Sequence, residues 1–240
     1  MMTTSPASRN GRTSPGPAAA YDDLLARVLP QSREQRVWSP SDGPLPSLFV
    51  SHGAPFTLDD PQWVGDLFAW AQSMPKPRAI VVISAHWEHA PTAITAAAAG
   101  TPLYYDFSGF HPRYKTLPYA TPDASDLARR LTGLLGSTPV HQFADRGLDH
   151  GAFFAVFHQP ALAGQTAAFD EWAIDALARG DVDALTDYRR KAPGAAVAHP
   201  SAEHFVPLLL TVGAADDPAS AVSAIDRMVM GNSIRSVQLT

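Results

Sequence analysis

The chain has 240 residues, a formal net charge of -5 and no cysteine. The acidic balance excludes the basic stripe that a nucleic-acid-binding surface needs. The absence of cysteine excludes disulfides, thiolate metal ligands, iron–sulfur clusters and cysteine nucleophiles. Because hydrophobic residues make up 45% and charged residues 17% of the sequence, the composition indicates a single globular domain.

The N-terminal region differs in composition from the rest of the chain. Residues 1–20 are rich in Ser, Thr, Pro, Gly and Ala without periodicity, so we predict a flexible tail. Residues 21–45 are predicted to form a short helix, Tyr21 to Leu29, and a linker. Since the tail lacks the apolar core of a secretory signal and no apolar run could span a bilayer, we expect a cytoplasmic protein without a membrane partner.

Two apolar runs begin the main domain, residues 46–240. Ser47 to Val50 and Ala79 to Ser84 each have the length of a buried strand, and a helical pattern from Pro61 to Ser73 separates them. Strand, helix and strand in this order predict a βαβ unit with parallel strands. We therefore predict an α/β fold, a single domain with a central mixed, mainly parallel sheet flanked by helices.

Shorter elements and one long loop follow. The patterns predict strands at Thr92–Ala96, Val140–Phe143 and Ser233–Leu239, and helices at Asp123–Leu135, Phe169–Arg179, Val182–Arg190 and from Pro200 onward. Between them, the loop from Tyr104 to Tyr119 is rich in aromatic residues. A loop so long and aromatic is unusual unless it lines a binding site.

Two histidines directly follow the predicted parallel strands. His52 comes after the first strand and His86 after the second. The carboxyl ends of parallel strands share one edge of a sheet and adjacent strands lie about 5 Å apart, so the two imidazoles could share a metal ion. The alternative is that each histidine caps a strand end and bonds a loop. Their matched placement favours the metal site.

Other histidines are weaker candidates on sequence alone. His204 begins a predicted apolar helix, where a histidine that only satisfies the helix end is the alternative. His150 follows Asp149, a candidate carboxylate to orient its ring, although adjacent side chains need not meet. His111, in the aromatic loop, is a candidate for substrate contact.

Four motifs together resemble a known family. They are Ser51-His52-Gly53-Ala54-Pro55, Ile83-Ser84-Ala85-His86-Trp87, Leu148-Asp149-His150-Gly151 and His199-Pro200-Ser201-Ala202-Glu203-His204-Phe205-Val206-Pro207-Leu208. Over about residues 46–240 the chain resembles the class III extradiol ring-cleavage dioxygenases, the LigB-like or DOPA-dioxygenase type. Four joint motifs in consistent order are more specific than any one of them.

The resemblance implies a mononuclear non-haem metal, Fe(II) or Zn(II), held by His52, His86 and His204. It places His150 beside the substrate as the acid/base residue and makes the aromatic loop part of the substrate pocket. The implied partners are a small-molecule catechol and O2, and the implied reaction opens the aromatic ring beside the diol. Neither nucleic acid nor a membrane takes part, and the oligomeric state is not indicated.

The chain departs from the family pattern near residues 158–168. Family members carry additional strands there and a His-Asn pair whose histidine is a further ligand, so the sheet should lose central strands and the metal one ligand. His158, Glu203 or water could replace it. Two alternatives to an active dioxygenase therefore stay open. One is a non-catalytic relative that retains metal binding. The other is a zinc-dependent hydrolase, although no His-Glu-x-x-His helix supplies its general base.

Overall fold

The computed structural model describes residues 16–117, 119–150, 163–229 and 232–240. Its helices are α1 (Ala19–Glu34), α2 (Pro61–Gln72), α3 (Ser125–Leu134), α4 (Ala163–Ala178), α5 (Val182–Thr186), α6 (Tyr188–Lys191), α7 (Ala195–Ala198) and α8 (Val206–Gly213). Its strands are β1 (Ser47–Phe49), β2 (Thr92–Ile94), β3 (Val140–Gln142), β4 (Val222–Ile225), β5 (Met228–Val229), β6 (Asn232–Ser233) and β7 (Ser236–Leu239). The predicted α/β class is confirmed.

The strands pair in three small groups. β7 lies between β1 and β4 and is antiparallel to both, and β5 pairs antiparallel with β6. β2 and β3 are parallel. In the first group Ser47 lies opposite Leu239 and Phe49 opposite Val237. The N-terminal strand of the main domain is therefore paired with the last strand of the chain.

The prediction of a buried strand from Ala79 to Ser84 is wrong for this structure. The run forms no strand, and Ile80, Val81, Val82 and Ile83 are 70%, 53%, 48% and 55% exposed. Within the described residues their backbones make no backbone hydrogen bond to another segment. An apolar run becomes a strand only where neighbouring backbones pair with it, and lost central strands would remove such neighbours.

We expect this exposed run to cause self-association. Four adjacent β-branched residues whose backbones pair with no other described segment are a template for intermolecular pairing. Val82→Lys should therefore raise the monomer fraction at tens of micromolar concentration, measured by sedimentation velocity. Val222→Lys is the matched control because Val222 is 61% exposed but lies in the paired strand β4. An equal monomer fraction in wild type and Val82→Lys would contradict the expectation.

The described core has two parts. The larger joins α4, α5, α8 and β7, where Leu177, Leu185 and Leu239 are at most 2% exposed. The smaller joins Trp63 of α2 to Phe107 in the aromatic loop. The aromatic loop is thus anchored to α2 by apolar burial, which fixes one wall of the site described below.

Helix ends follow local capping chemistry. The Asp60 side chain accepts hydrogen bonds from the backbones of Gln62 and Trp63 and begins α2, with Pro61 in the first turn. The predicted start of the last helix near Pro200 is wrong, because α8 begins at Val206 and has Pro207 in its first turn. Likewise α1 begins at Ala19, inside the predicted tail.

No helix among the described residues is long and apolar enough to span a bilayer. The cytoplasmic location stays a prediction.

Candidate metal centre

Four histidines from separate segments lie together around His86. The Nε2 atoms of His52 and His86 are 3.4 Å apart. The ring centroid of His86 lies 4.0 Å from that of His150 and 4.9 Å from that of His204. The structure thus brings together the three predicted ligands and the predicted acid/base residue, with His86 in contact with each of the others.

Two serines, Ser236 and Ser84, hold the loops that carry His52 and His86. The Ser51 backbone N–H donates to Oγ of Ser236 at 3.0 Å, and Ser236 is fully buried in β7. The His86 backbone N–H donates to Oγ of Ser84 at 3.1 Å, and that hydroxyl donates to Oδ1 of Asp149 at 2.7 Å. Both histidine loops are therefore tied to distant parts of the chain by side-chain hydrogen bonds.

Arg146 connects the His86 loop with the His150 loop. Its guanidinium lies 4.4 Å from the Trp87 ring centroid and 4.1 Å from that of Tyr104, and an Nη atom is 3.9 Å from Asp149. A guanidinium held between aromatic faces gains cation–π attraction. Gly147 permits the close packing here, because a Cβ at that position would lie 1.9 Å from the carbonyl oxygen of Pro102.

The carboxylate that meets His150 is Asp106, which the sequence reasoning missed. Asp106 is hydrogen-bonded to Nδ1 of His150, and its Oδ1 accepts from the His150 backbone N–H at 3.1 Å. Asp149, the candidate orienter from sequence, instead accepts from Ser84. One signal could have pointed to Asp106: it is the one carboxylate in the aromatic loop from Tyr104 to Tyr119.

His204 lies in the turn before α8. Its Nδ1 is 3.3 Å from Oε1 of Glu203, whose carboxylate also accepts from Ser201. Its Nε2 is buried and has no hydrogen-bond partner among the described residues. A buried imidazole nitrogen without a partner is costly unless something else binds it, so this atom indicates a ligand position.

Two further candidates were His111 and His158, and His111 does not join the cluster. His111 is exposed, and its Nδ1 accepts from the backbone N–H of Arg113, so it caps a short 3₁₀ helix, Pro112–Lys115. His158 lies outside the described residues.

Burial and mutual repulsion keep three of the clustered histidines, His52, His86 and His204, neutral. Burial, reinforced by His86, His204 and His150, lowers the pKa of His52 to about 3. Burial, reinforced by His150 and His204, lowers the pKa of His86 to about 4. The pKa of His204 is also lowered by burial, against the opposing effect of Glu203. Neutral imidazole is the form that binds a metal.

The residues fit a metal ion. Nitrogen ligands at about 2.0–2.1 Å from a tetrahedral ion lie about 3.3 Å from one another, close to the 3.4 Å between His52 and His86. Potential ligand atoms of His86, His150 and Asp106 also lie within 4.8 Å of one another. His86 therefore belongs both to this group and to the predicted ligand set of His52, His86 and His204, whose ligand atoms do not form a group within that distance.

The lowered pKa values predict a loss of stability in acid for the metal-free protein. An unfolded histidine has a pKa of about 6.5, so below that pH the unfolded chain binds protons that folded His52 and His86 do not. The free energy of unfolding should therefore have its full value above pH 6.5 and should fall as the pH drops toward 4. The loss is up to about 2 kcal/mol per histidine by pH 5.

Urea unfolding at pH 7 and pH 5 measures this loss. His86→Gln should reduce the difference between the two pH values, whereas His141→Gln should not, because His141 is exposed and outside the cluster. A wild-type free energy of unfolding that is equal at both pH values would contradict the prediction.

Comparison with known proteins gives one consistent relationship. No family model matches the chain. The 4,5-DOPA dioxygenase extradiol of Beta vulgaris is 29% identical over 238 residues, covering 73% of this chain and 88% of that protein. The protein of the same name from Portulaca grandiflora is 27% identical over 73% of this chain. That from Escherichia coli K12 is 36% identical over 111 residues, 45% of this chain and 41% of its own length.

The alignments and the fold agree. Because the Beta vulgaris alignment is 238 residues long yet covers 73% of this chain, that relative contains residues without a counterpart here. The crystal structure of an uncharacterized protein from Escherichia coli K12 matches the fold with a TM-score of 0.60 at 22% identity, covering 82% of this chain and all of that chain. The chain is therefore similar to proteins named as extradiol dioxygenases, which are oxidoreductases, over about three quarters of its length, and it resembles the LigB-like family to which they belong.

Proposed function

We propose that this protein opens the ring of a catechol with O2 at a mononuclear iron centre. The observation that carries the proposal is the meeting of four histidines from four separate segments around His86. The alignments with two relatives named as extradiol dioxygenases span most of the length of those relatives, which supports the same reaction class for this chain.

In the proposed site His52, His86 and His204 hold the metal. Their imidazoles are neutral at pH 7, and the buried Nε2 of His204 has no other partner among the described residues. When bound, ferrous iron supplies electron transfer between the catechol and O2, a role that Zn(II) cannot fill because it has no redox chemistry.

His150 is the residue that moves protons in the proposal. A catechol must lose its hydroxyl protons and the ring-opened product must regain one, and an imidazole is suited to both steps near neutral pH. The Phe107 ring lies 5.5 Å from the His150 ring centroid and is 8% exposed, so it keeps water from that side of the imidazole. Overall, the carbon–carbon bond beside the diol breaks and both atoms of O2 enter the product.

The test is anaerobic loading with Fe(II), metal quantification, and then oxygen uptake with a panel of catechols. We expect near one iron per chain and uptake with at least one catechol, accompanied by the yellow absorbance of a ring-opened product. Protein loaded with Zn(II) is the control and should consume no oxygen. Stoichiometric iron with no uptake on any catechol would refute the proposal.

A non-catalytic relative that still binds metal is the second candidate. It is favoured by the residues of the Beta vulgaris protein that have no counterpart here, together with the exposed run Ile80 to Ile83. The same experiment separates the two candidates, because this one predicts iron retention without oxygen uptake.

A further inference from the structure

Asp106 reaches His150 because two segments run side by side. Tyr104 pairs with Asp149 in an isolated parallel bridge, and the Tyr104 backbone N–H donates to the carbonyl of Leu148 at 2.8 Å. Asp106 is two residues beyond this bridge on one segment and His150 is one residue beyond it on the other. The pairing therefore places the carboxylate against the imidazole.

Asp106 contacts His150 at two atoms. The same carboxylate oxygen accepts the backbone N–H of His150 and meets Nδ1 of its ring. The side chains of His150 and Asp106 are 11% and 18% exposed, so water competes little for either contact. Both the position of the His150 backbone and the rotation of its ring are thus restrained by one side chain.

This contact decides which ring nitrogen can accept a proton. In a neutral imidazole one nitrogen carries hydrogen and the other has the free lone pair. A carboxylate accepts hydrogen bonds only, so Nδ1 of His150 must be the donor, and Nε2 is left as the acceptor. An isolated histidine in water favours the opposite arrangement, with hydrogen on Nε2.

The contact also bears on whether Asp106 binds the metal. Asp106 falls in the same group as His86 and His150. However, its Oδ1 already accepts from His150, and Nδ1 of His150 is occupied by that contact. A carboxylate that orients a histidine in this way is typical of groups that act through the histidine.

We propose that Asp106 is a positioning residue that holds His150 as the Nδ1–H tautomer and leaves Nε2 as the proton acceptor. That Nε2 serves ring opening rests on the proposed function. The tautomer itself does not, so it can be tested in the metal-free protein without any turnover.

The first measurement is the ¹⁵N NMR spectrum of His150 in metal-free protein, with the signals assigned through His150→Gln. Wild type should show the Nδ1–H tautomer, and Asp106→Ala should shift His150 toward the Nε2–H tautomer. Asp106→Asn keeps the shape of the side chain but can turn an amide N–H toward Nδ1, so it should also favour the Nε2–H tautomer. Asp145→Ala, an exposed carboxylate near the same loop, is the matched control and should change nothing.

The second measurement is iron content and turnover. Asp106→Ala should keep its iron and lose about 10- to 100-fold in kcat with little change in KM, and Asp106→Asn should lose at least as much because its amide can hold the other tautomer. An unchanged His150 tautomer in Asp106→Ala would overturn the proposal, as would loss of iron in both Asp106 variants. If wild type consumes no oxygen, the proposed function fails while the NMR measurement still decides the role of Asp106.

Discussion

Replacing His86 with alanine is expected to abolish metal retention and, with it, all oxygen uptake. His86 is the histidine that contacts each of the others, with His52 at 3.4 Å between Nε2 atoms and the rings of His150 and His204 close by. Because both the predicted ligand set and the group of His86, Asp106 and His150 include His86, its loss damages the site whichever of the two holds the ion. We expect bound iron to fall at least about 10-fold after dialysis.

The control for this prediction is His89→Ala. His89 is exposed three residues further along, where it stacks on His141 and contacts neither His52 nor His204 in any described interaction. It should retain iron as wild type does. Metal analysis after anaerobic loading and dialysis measures both variants, and stoichiometric iron in His86→Ala would remove the site from consideration.

Replacing His150 with alanine is expected to leave iron bound but to reduce kcat by about 10²- to 10⁴-fold, the usual contribution of a general acid or base. The reason is that His150 lies outside the predicted ligand set, and its hydrogen bond from Nδ1 to Asp106 leaves Nε2 as the proton acceptor. Oxygen-uptake kinetics and metal content must be measured on the same sample.

This variant also separates the two ligand sets. If His52, His86 and His204 hold the metal, His150→Ala keeps it. Loss of iron together with turnover would instead identify the set of His86, Asp106 and His150. His111→Ala serves as the control, because His111 caps a short helix in the same aromatic loop and should affect neither quantity.

The histidines could be found from sequence, but the way in which they meet could not. Parallel strands were expected to bring His52 and His86 to one sheet edge, yet β1 pairs with β7 and the segment before His86 forms no strand. The two rings do meet, because hydrogen bonds to Ser236 and Asp149 hold their loops. Such long-range side-chain contacts leave no periodicity in a sequence.

Local elements were predicted better than their surroundings. The helix expected from Pro61 to Ser73 is found at Pro61–Gln72, because proline and an aspartate cap mark its start in the sequence itself. The run Ala79 to Ser84 was predicted as buried from its composition alone. Burial depends on which strands are available beside it, and that is a property of the whole chain.

The hydrogen bond between Ser51 and Ser236 also has a consequence for biosynthesis. The two residues are 185 positions apart. During translation, nearly the whole domain must therefore be synthesised after the His52 loop before the partner strand of that loop emerges from the ribosome. Contacts of such long sequence separation form late in folding. A nascent chain should therefore acquire its helices well before it can bind a metal ion, and metal insertion belongs after synthesis of β7.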